Sequence, residues 1–164
     1  MKVVPYLETE RLLLRGIKEE DTDWIVTWRA NRQVYQYFLS PHALTREEHL
    51  QWFRSRYLLN DNRFDWLVIE KETNRPIGVF GINKSSKNIS EVEINYLLAP
   101  EAQGKGYARE GVEVMIEWVK SKLECKSAIA EVHCENIPSI TFIEKMEFIK
   151  EKQQGNFYQY KRVL

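Results

Sequence analysis

Gln103-Gly104-Lys105-Gly106-Tyr107-Ala108 links a strand-like run to a helix-like one, and this junction has the means to hold an anion. The first N–H groups of a helix have no partner inside it and carry the positive end of the peptide dipoles. Glycines let a phosphate come close to those amides, and Lys105 can add a charge-assisted contact. Spacing then separates the phosphate ligands. A P-loop requires Lys-Ser/Thr after its last glycine, whereas Tyr107 follows Gly106. A dinucleotide fingerprint requires a small residue where Arg109 stands. The plain alternative is a strand-to-helix turn with no ligand.

Proton transfer has three candidates. Glu93 lies on the polar face of the run 91–99. Glu131 and His133 share a face of a strand-like run, 128–134, and a histidine has a suitable unperturbed pKa. Each can equally be a satisfied surface or structural group. Cys125 and Cys134 fit no metal or redox motif, and His133 and Cys134, being adjacent, point to opposite faces of a strand. No metal is expected.

The elements that must position these groups follow from periodicity. Val92, Ile94, Tyr96 and Leu98 alternate with Glu91, Glu93 and Asn95, and Pro100 ends the strand. Ala108, Val112, Met115, Ile116, Val119 and Leu123 then recur at helical spacing. Upstream, 11–17 is an apolar strand, and Glu19-Glu20-Asp21 opens a helix with Asp21 or Thr22 as N-cap. Thr45 and Glu48 form a capping box for a second helix, with Tyr35, Phe38, Trp52 and Phe53 read as core. Runs 64–70 and 76–84 make a meander with the central strand. Asn136 precedes a helix with Pro138 in its first turn, and 148–150 and 157–163 form a terminal hairpin.

The chain has 164 residues, 43% of them hydrophobic, which suits one domain, 1–164. Lys plus Arg and Asp plus Glu both total 24, so the basic excess of a nucleic-acid binder is missing. No apolar run approaches bilayer length and the N-terminus lacks a signal-like segment, so a cytoplasmic location is the expectation.

The hexapeptide at 103–108 fits Gln/Arg-x-x-Gly-x-Gly/Ala and resembles the acetyl-CoA pyrophosphate loop of the GNAT N-acetyltransferases. The run AEVHCENIPSITFIEKMEF resembles the last conserved segment of that family, with Glu147 in place of its usual glycine. LETERLLLRGIKEEDTDWIVTWRAN resembles the first strand and helix of the ribosomal-protein branch. The resemblance implies an α/β GNAT fold, with a mixed, mostly antiparallel sheet of six to seven strands, a splayed parallel pair and about four helices. It implies an acyltransferase that uses acetyl-CoA by direct attack of an amine, without a nucleophilic side chain. Tyr96, Leu97, Leu98 and Ala99 would meet the pantetheine arm. Gln103, Gly104, Lys105, Gly106, Tyr107 and Ala108 would hold the pyrophosphate, and Asn136 and Ser139 would approach from the other side. Glu131 ranks first as base, then Glu93, then His133. The acid is missing from its usual place, where Ile143 stands, and Ser139 is a substitute. The acceptor is a small-molecule or peptide amine. Glu48, His49, Trp52 and Phe53 resemble the nucleotide-amino-sugar branch and tilt the choice to a small amine. The competing readings are a protein N-terminal amine and a non-catalytic acyl-CoA-binding module. A homodimer is allowed.

Overall fold

The alternating run at 91–99 has one apolar face, which needs a helix against it, and two edges, which need neighbours. The computed structural model describes residues 2–164. Strands β1 (Leu7–Glu8) and β2 (Leu12–Gly16) precede helices α1 (Thr22–Arg29), α2 (Arg32–Tyr35) and α3 (Arg46–Trp52), the last prolonged by a wider π turn over Phe53–Tyr57. A meander follows, β3 (Arg63–Glu70), β4 (Arg75–Lys84) and β5 (Glu91–Leu98). Then come α4 (Tyr107–Lys122), β6 (Ser127–His133), α5 (Ile137–Lys145), β7 (Ile149–Gln154) and β8 (Phe157–Val163). One eight-stranded sheet results, in the order β1-β2-β3-β4-β5-β6-β8-β7. Among the described residues only β5 and β6 pair in parallel.

Helix α4 covers one face of the first five strands. Val112, Met115, Ile116 and Val119 are buried along it, as the helical spacing requires. Gly111 lets the helix come close, since a Cβ there would stand 2.3 Å from the Phe80 ring. Trp118 meets Trp66 edge-on at 5.5 Å. The opposite face carries α1 and α3, with Trp28, Phe53 and Tyr57 buried. Tyr57 Oη accepts the Asp65 N–H at 3.2 Å there. Adjacent residues of β5 therefore serve different layers: Val92 and Ile94 are buried, while Glu93 is half-buried and Asn95 exposed.

The parallel pairing is short. Glu91, Val92 and Glu93 pair with Ser127, Ala128 and Ile129, and the ladder stops there. Beyond Glu93, β5 still pairs with β4 as far as Leu98, and β6 still pairs with β8 as far as His133. Each strand follows its outer neighbour, so the sheet splits between them.

Eight strands and five helices exceed the six to seven and four that the sequence implied. The additions are β1, with two residues, and α2, with four, both too short to show a period. Asp21 is not the side-chain cap of α1. It accepts the Lys18 N–H at 2.7 Å and both terminal nitrogens of Arg15 at 2.8 Å, closing a 3-10 turn that precedes the helix. Phe53 is core and Trp52 packs against it, but Tyr35 and Phe38 are half-buried outside the hydrophobic cluster. The terminal hairpin begins at Ile149 and extends to Gln154, past the run read as 148–150. The Thr45–Glu48 box and the Asn136 cap form as read, with Asn136 Oδ1 accepting the Ser139 N–H at 3.3 Å.

Glu147 holds φ at +69°, the left-handed geometry of a glycine, just past the end of α5. A side chain there costs roughly 1–2 kcal/mol, and glycine returns about 0.5–1 kcal/mol of that in unfolded-state entropy. Glu147→Gly is therefore expected to raise stability by about 0.5–1 kcal/mol in urea unfolding. An unchanged or lower midpoint would show that the Glu147 side chain offsets the strain.

Candidate functional site

Where β5 and β6 part, the backbone groups of Ile94–Leu98 on that side have no strand to pair with. An extended ligand can add itself to such an edge. The edge runs into the glycine loop through Ala99, whose N–H donates to Ile77 O at 2.8 Å, and a 3-10 turn over Pro100–Ala102. Gly104 and Gly106 adopt φ of +77° and +82°. No side chain caps α4, and its ladder starts with Glu110 N–H donating to Gly106 O at 3.2 Å. A Cβ on Gly104 would meet nothing within 4 Å. An open loop backbone leading into helix-start amides with no side-chain cap suits a phosphate.

Not every loop residue turns its side chain to that space. Lys105 is exposed, but Gln103 Nε2 donates to Leu98 O at 3.3 Å and so ties the loop to its strand. Tyr107 is buried, its hydroxyl donating to Glu70, and Ala108 already lies in the helix. For Tyr107, the backbone N–H is the group left to offer.

Arg11, unmarked by sequence, organises this loop. Its Nη1 donates to Lys105 O at 2.9 Å, its Nε to Glu110 at 2.8 Å, and its guanidinium lies 4.4 Å from the centroid of the Tyr107 ring. Thr9 Oγ and the Arg11 N–H also donate to Glu110. The partners stand 99 positions apart, a separation no periodicity reveals.

On the α1/α3 face, Glu93 of β5 and Glu131 of β6 flank the split. Burial, and then the charge of Glu131, push the Glu93 carboxyl above its ordinary range. Neighbouring carboxylates are already engaged: Glu91 pairs with Lys161 at 3.3 Å and Asp65 with Arg63 at 2.8 Å. Among the described residues Glu93 and Glu131 have no ion-pair partner. His133 has another task. Its ring packs between Tyr37 and Phe157, each at 5.2 Å, and Nδ1 accepts the Glu135 N–H at 3.1 Å. In the neutral ring that hydrogen bond leaves the proton on Nε2.

Glu93 also lines a polar cleft of about 420 Å³ with Asn62, Asn83, Lys84, Ser85 and Lys87. Nearby, Arg29 is partly buried without a carboxylate partner among the described residues, and its guanidinium lies 4.9 Å from the Phe38 ring centroid. His49 is buried beside it, and burial and then the Arg29 charge lower its pKa to about 4. Glu48 pairs with His42 at 2.9 Å, and Trp52 stacks on Arg63. Of the four residues Glu48, His49, Trp52 and Phe53, then, His49 and Phe53 are interior.

On the α5 side of the split, Tyr96 Oη and Ser139 Oγ are 2.6 Å apart. Ile143 is fully buried. Together these groups supply an edge for an extended arm, amides for a phosphate, carboxylates for an amine proton and hydroxyls across the gap.

Residues 11–149 match the acetyltransferase (GNAT) domain family. The chain belongs to the GNAT family. An uncharacterised N-acetyltransferase of Bacillus licheniformis is 32% identical over 88% of this chain and 83% of its own length. An uncharacterised protein of Methanocaldococcus jannaschii is 31% identical over 89% of this chain, which spans 30% of that relative's length. The solved spermidine N-acetyltransferase of Vibrio cholerae, in complex with CoA and spermine, superposes with a TM-score of 0.83 at 19% identity, over 94% of this chain and 96% of its own. That likeness establishes the fold, and the splayed parallel pair that the sequence resemblance implied is seen in the ladder that ends at Glu93.

Two outcomes follow for this GNAT domain. A side chain on Gly106 would come within 3.3 Å of Arg11 Nη2 at a φ that disfavours it. Gly106→Val is expected to weaken acetyl-CoA binding by at least about tenfold in calorimetry, and Arg11→Ala by roughly tenfold, near 1.4 kcal/mol. Unchanged affinity in both would remove the loop assignment.

His49 makes stability pH-dependent. Its folded pKa of about 4 lies below the unfolded 6.5. The unfolded chain therefore takes up the proton first, and stability falls as pH drops from 6.5 towards 4, by up to about 3 kcal/mol. His49→Gln is expected to flatten that part of the curve in urea unfolding at pH 7 and 4.5. A wild-type-like slope in the variant would place the pH dependence elsewhere.

Proposed function

We propose that this protein transfers the acetyl group of acetyl-CoA to the primary amine of a small molecule, an amino sugar carried on a nucleotide being the favoured acceptor. The observation that carries the transfer is the split beyond Glu93, which leaves the edge Ile94–Leu98 open and aims it at the uncapped start of α4. The pantetheine arm pairs with that edge from Tyr96 to Ala99. The pyrophosphate rests on amides of residues 104–108, with Lys105 beside it, and Asn136 and Ser139 close the site from α5.

The amine enters from the α1/α3 face. It must lose a proton to attack the thioester, and the Glu93–Glu131 pair takes it. A carboxylate with a raised pKa is the better base near neutral pH, a property that Glu93 has and that Glu131 helps to create. A backbone N–H of the open edge stabilises the oxyanion. The acceptor preference rests on the cleft beside Glu93. Lys84, Lys87, Asn62 and Ser85 suit phosphate oxygens, and two lysines would repel a polycation.

Thermal unfolding with acetyl-CoA tests the donor. A ligand of the native state at one hundred times its dissociation constant adds about 2.7 kcal/mol, and the absence of any shift would remove the reading. CoA release with a UDP-linked amino sugar, spermidine and a short peptide tests the acceptor. The sugar is expected to give the highest kcat/KM, and a preference for spermidine or the peptide would displace it.

Glu131→Gln separates the two carboxylates. With Glu93 as base, removing the neighbouring charge lowers its pKa, so the acid limb of kcat/KM moves to lower pH while activity persists. With Glu131 as base, activity falls by roughly a hundredfold or more at every pH. Glu93→Gln gives the reverse test.

A further inference from the structure

A charge taken out of water is normally paired, and one on the α1/α3 face is not. Arg29 ends α1, and its guanidinium lies over the ring of Phe38, 4.9 Å from the centroid. Its Nε is buried with no hydrogen-bond partner among the described residues. The acids whose charge reaches it are Asp65 and Glu48, and both are engaged elsewhere: Asp65 with Arg63 at 2.8 Å, Glu48 with His42 at 2.9 Å. Burial, and then the Arg63 charge, lower the Arg29 pKa, so the fold holds this cation against both.

A second polar group there is unsatisfied too. His49 is 3% exposed, and its Nε2 has no partner among the described residues. With a pKa lowered to about 4 by burial and then by the Arg29 charge, its ring is neutral near pH 7. A neutral imidazole can still donate one N–H to an anion. The strands beneath fix where this cluster stands. Asp65 is opposite Gly81, and Gly81 is opposite Asn95, the exposed residue two past Glu93 on β5. Arg29 is therefore in the layer from which the amine approaches Glu93 and Glu131.

We propose that Arg29, with His49 beside it, binds an anionic oxygen group carried by the acceptor, a phosphate or a carboxylate, and so selects amines that bear one. A guanidinium presents paired N–H donors that match either group, and the bound anion becomes the partner that the fold does not provide. The inference rests on the transfer reading and narrows its acceptor. A polyamine, cationic along its whole length, has no group for Arg29.

Arg29→Met keeps an unbranched apolar stem and removes the charge. Rates are measured as CoA release from acetyl-CoA with three forms of one amino sugar: UDP-linked, oxidised to the uronic acid, and as the uncharged methyl glycoside. The wild type is expected to favour an anionic form by at least about tenfold in kcat/KM, mainly through KM, and the favoured form tells phosphate from carboxylate. Arg29→Met is expected to cut that preference by roughly tenfold, and Arg29→Lys to restore part of it. Without acceptor, the urea midpoint of Arg29→Met should match or exceed that of the wild type, since an unpaired charge has gone. Asp65 Oδ1 is also unpartnered among the described residues. An Arg29 that serves only Asp65 would give the opposite result, a lower midpoint with the preference unchanged, and that would overturn the subsite. Equal use of the three forms by the wild type would overturn it while the transfer stands. A wild type that binds acetyl-CoA yet releases no CoA with any of the three would overturn the acceptor reading and the subsite with it.

Discussion

Everything in this site depends on a ladder that stops early. β5 and β6 share three rungs and then separate, although both continue, because each is held from its outer side. β4 keeps β5 straight as far as Leu98, with α4 packed beneath Val92 and Ile94, and β8 keeps β6 on its own course to His133. Strand twist normally accumulates smoothly across a sheet. Here the β4 and β8 pairings outweigh the rungs lost between β5 and β6, and those backbone groups are left to water or to a ligand instead of being buried without partners.

The split also sorts the chemistry by face. Toward α1 and α3 lie the ionisable groups: Glu93, Glu131, the Asp65–Arg63 pair, Arg29 and the neutral His49. Toward α5 lie hydroxyls and aromatic rings, Tyr96, Ser139 and Phe142. A net charge of zero conceals this arrangement, since it averages away a cleft in which Glu93 stands with Lys84 and Lys87. A sheet opened along one seam thus gives ionisable groups and hydroxyls different surroundings on its two faces.

The glycine loop, the central strand and both long helices were legible in the sequence because each rests on a local rule: alternation, helical spacing, a cap or a positive φ. What stayed hidden is non-local. Arg11 gains its role only when β2 is brought against α4, and the Tyr96–Ser139 bond spans 43 positions. Tyr35 and Phe38 read as core by composition, yet they sit on the short segment between α1 and α3, where no opposing layer covers them. His133 showed its type and face but not its neighbours, among them the Glu135 N–H that donates to Nδ1.

The two departures from the family's last segment, Ile143 and Glu147, lie on the same short stretch and have different physical consequences. Glu147 keeps the backbone turn that a glycine would make easily and bears local strain, so the direction of the chain into Phe148 and β7 is preserved. Ile143 changes the chemistry without changing the path: it fills a fully buried position, and Phe148 N–H still donates to its carbonyl at 3.2 Å. An apolar side chain at 143 makes α5 a better-packed lid on the sheet at the expense of a hydroxyl.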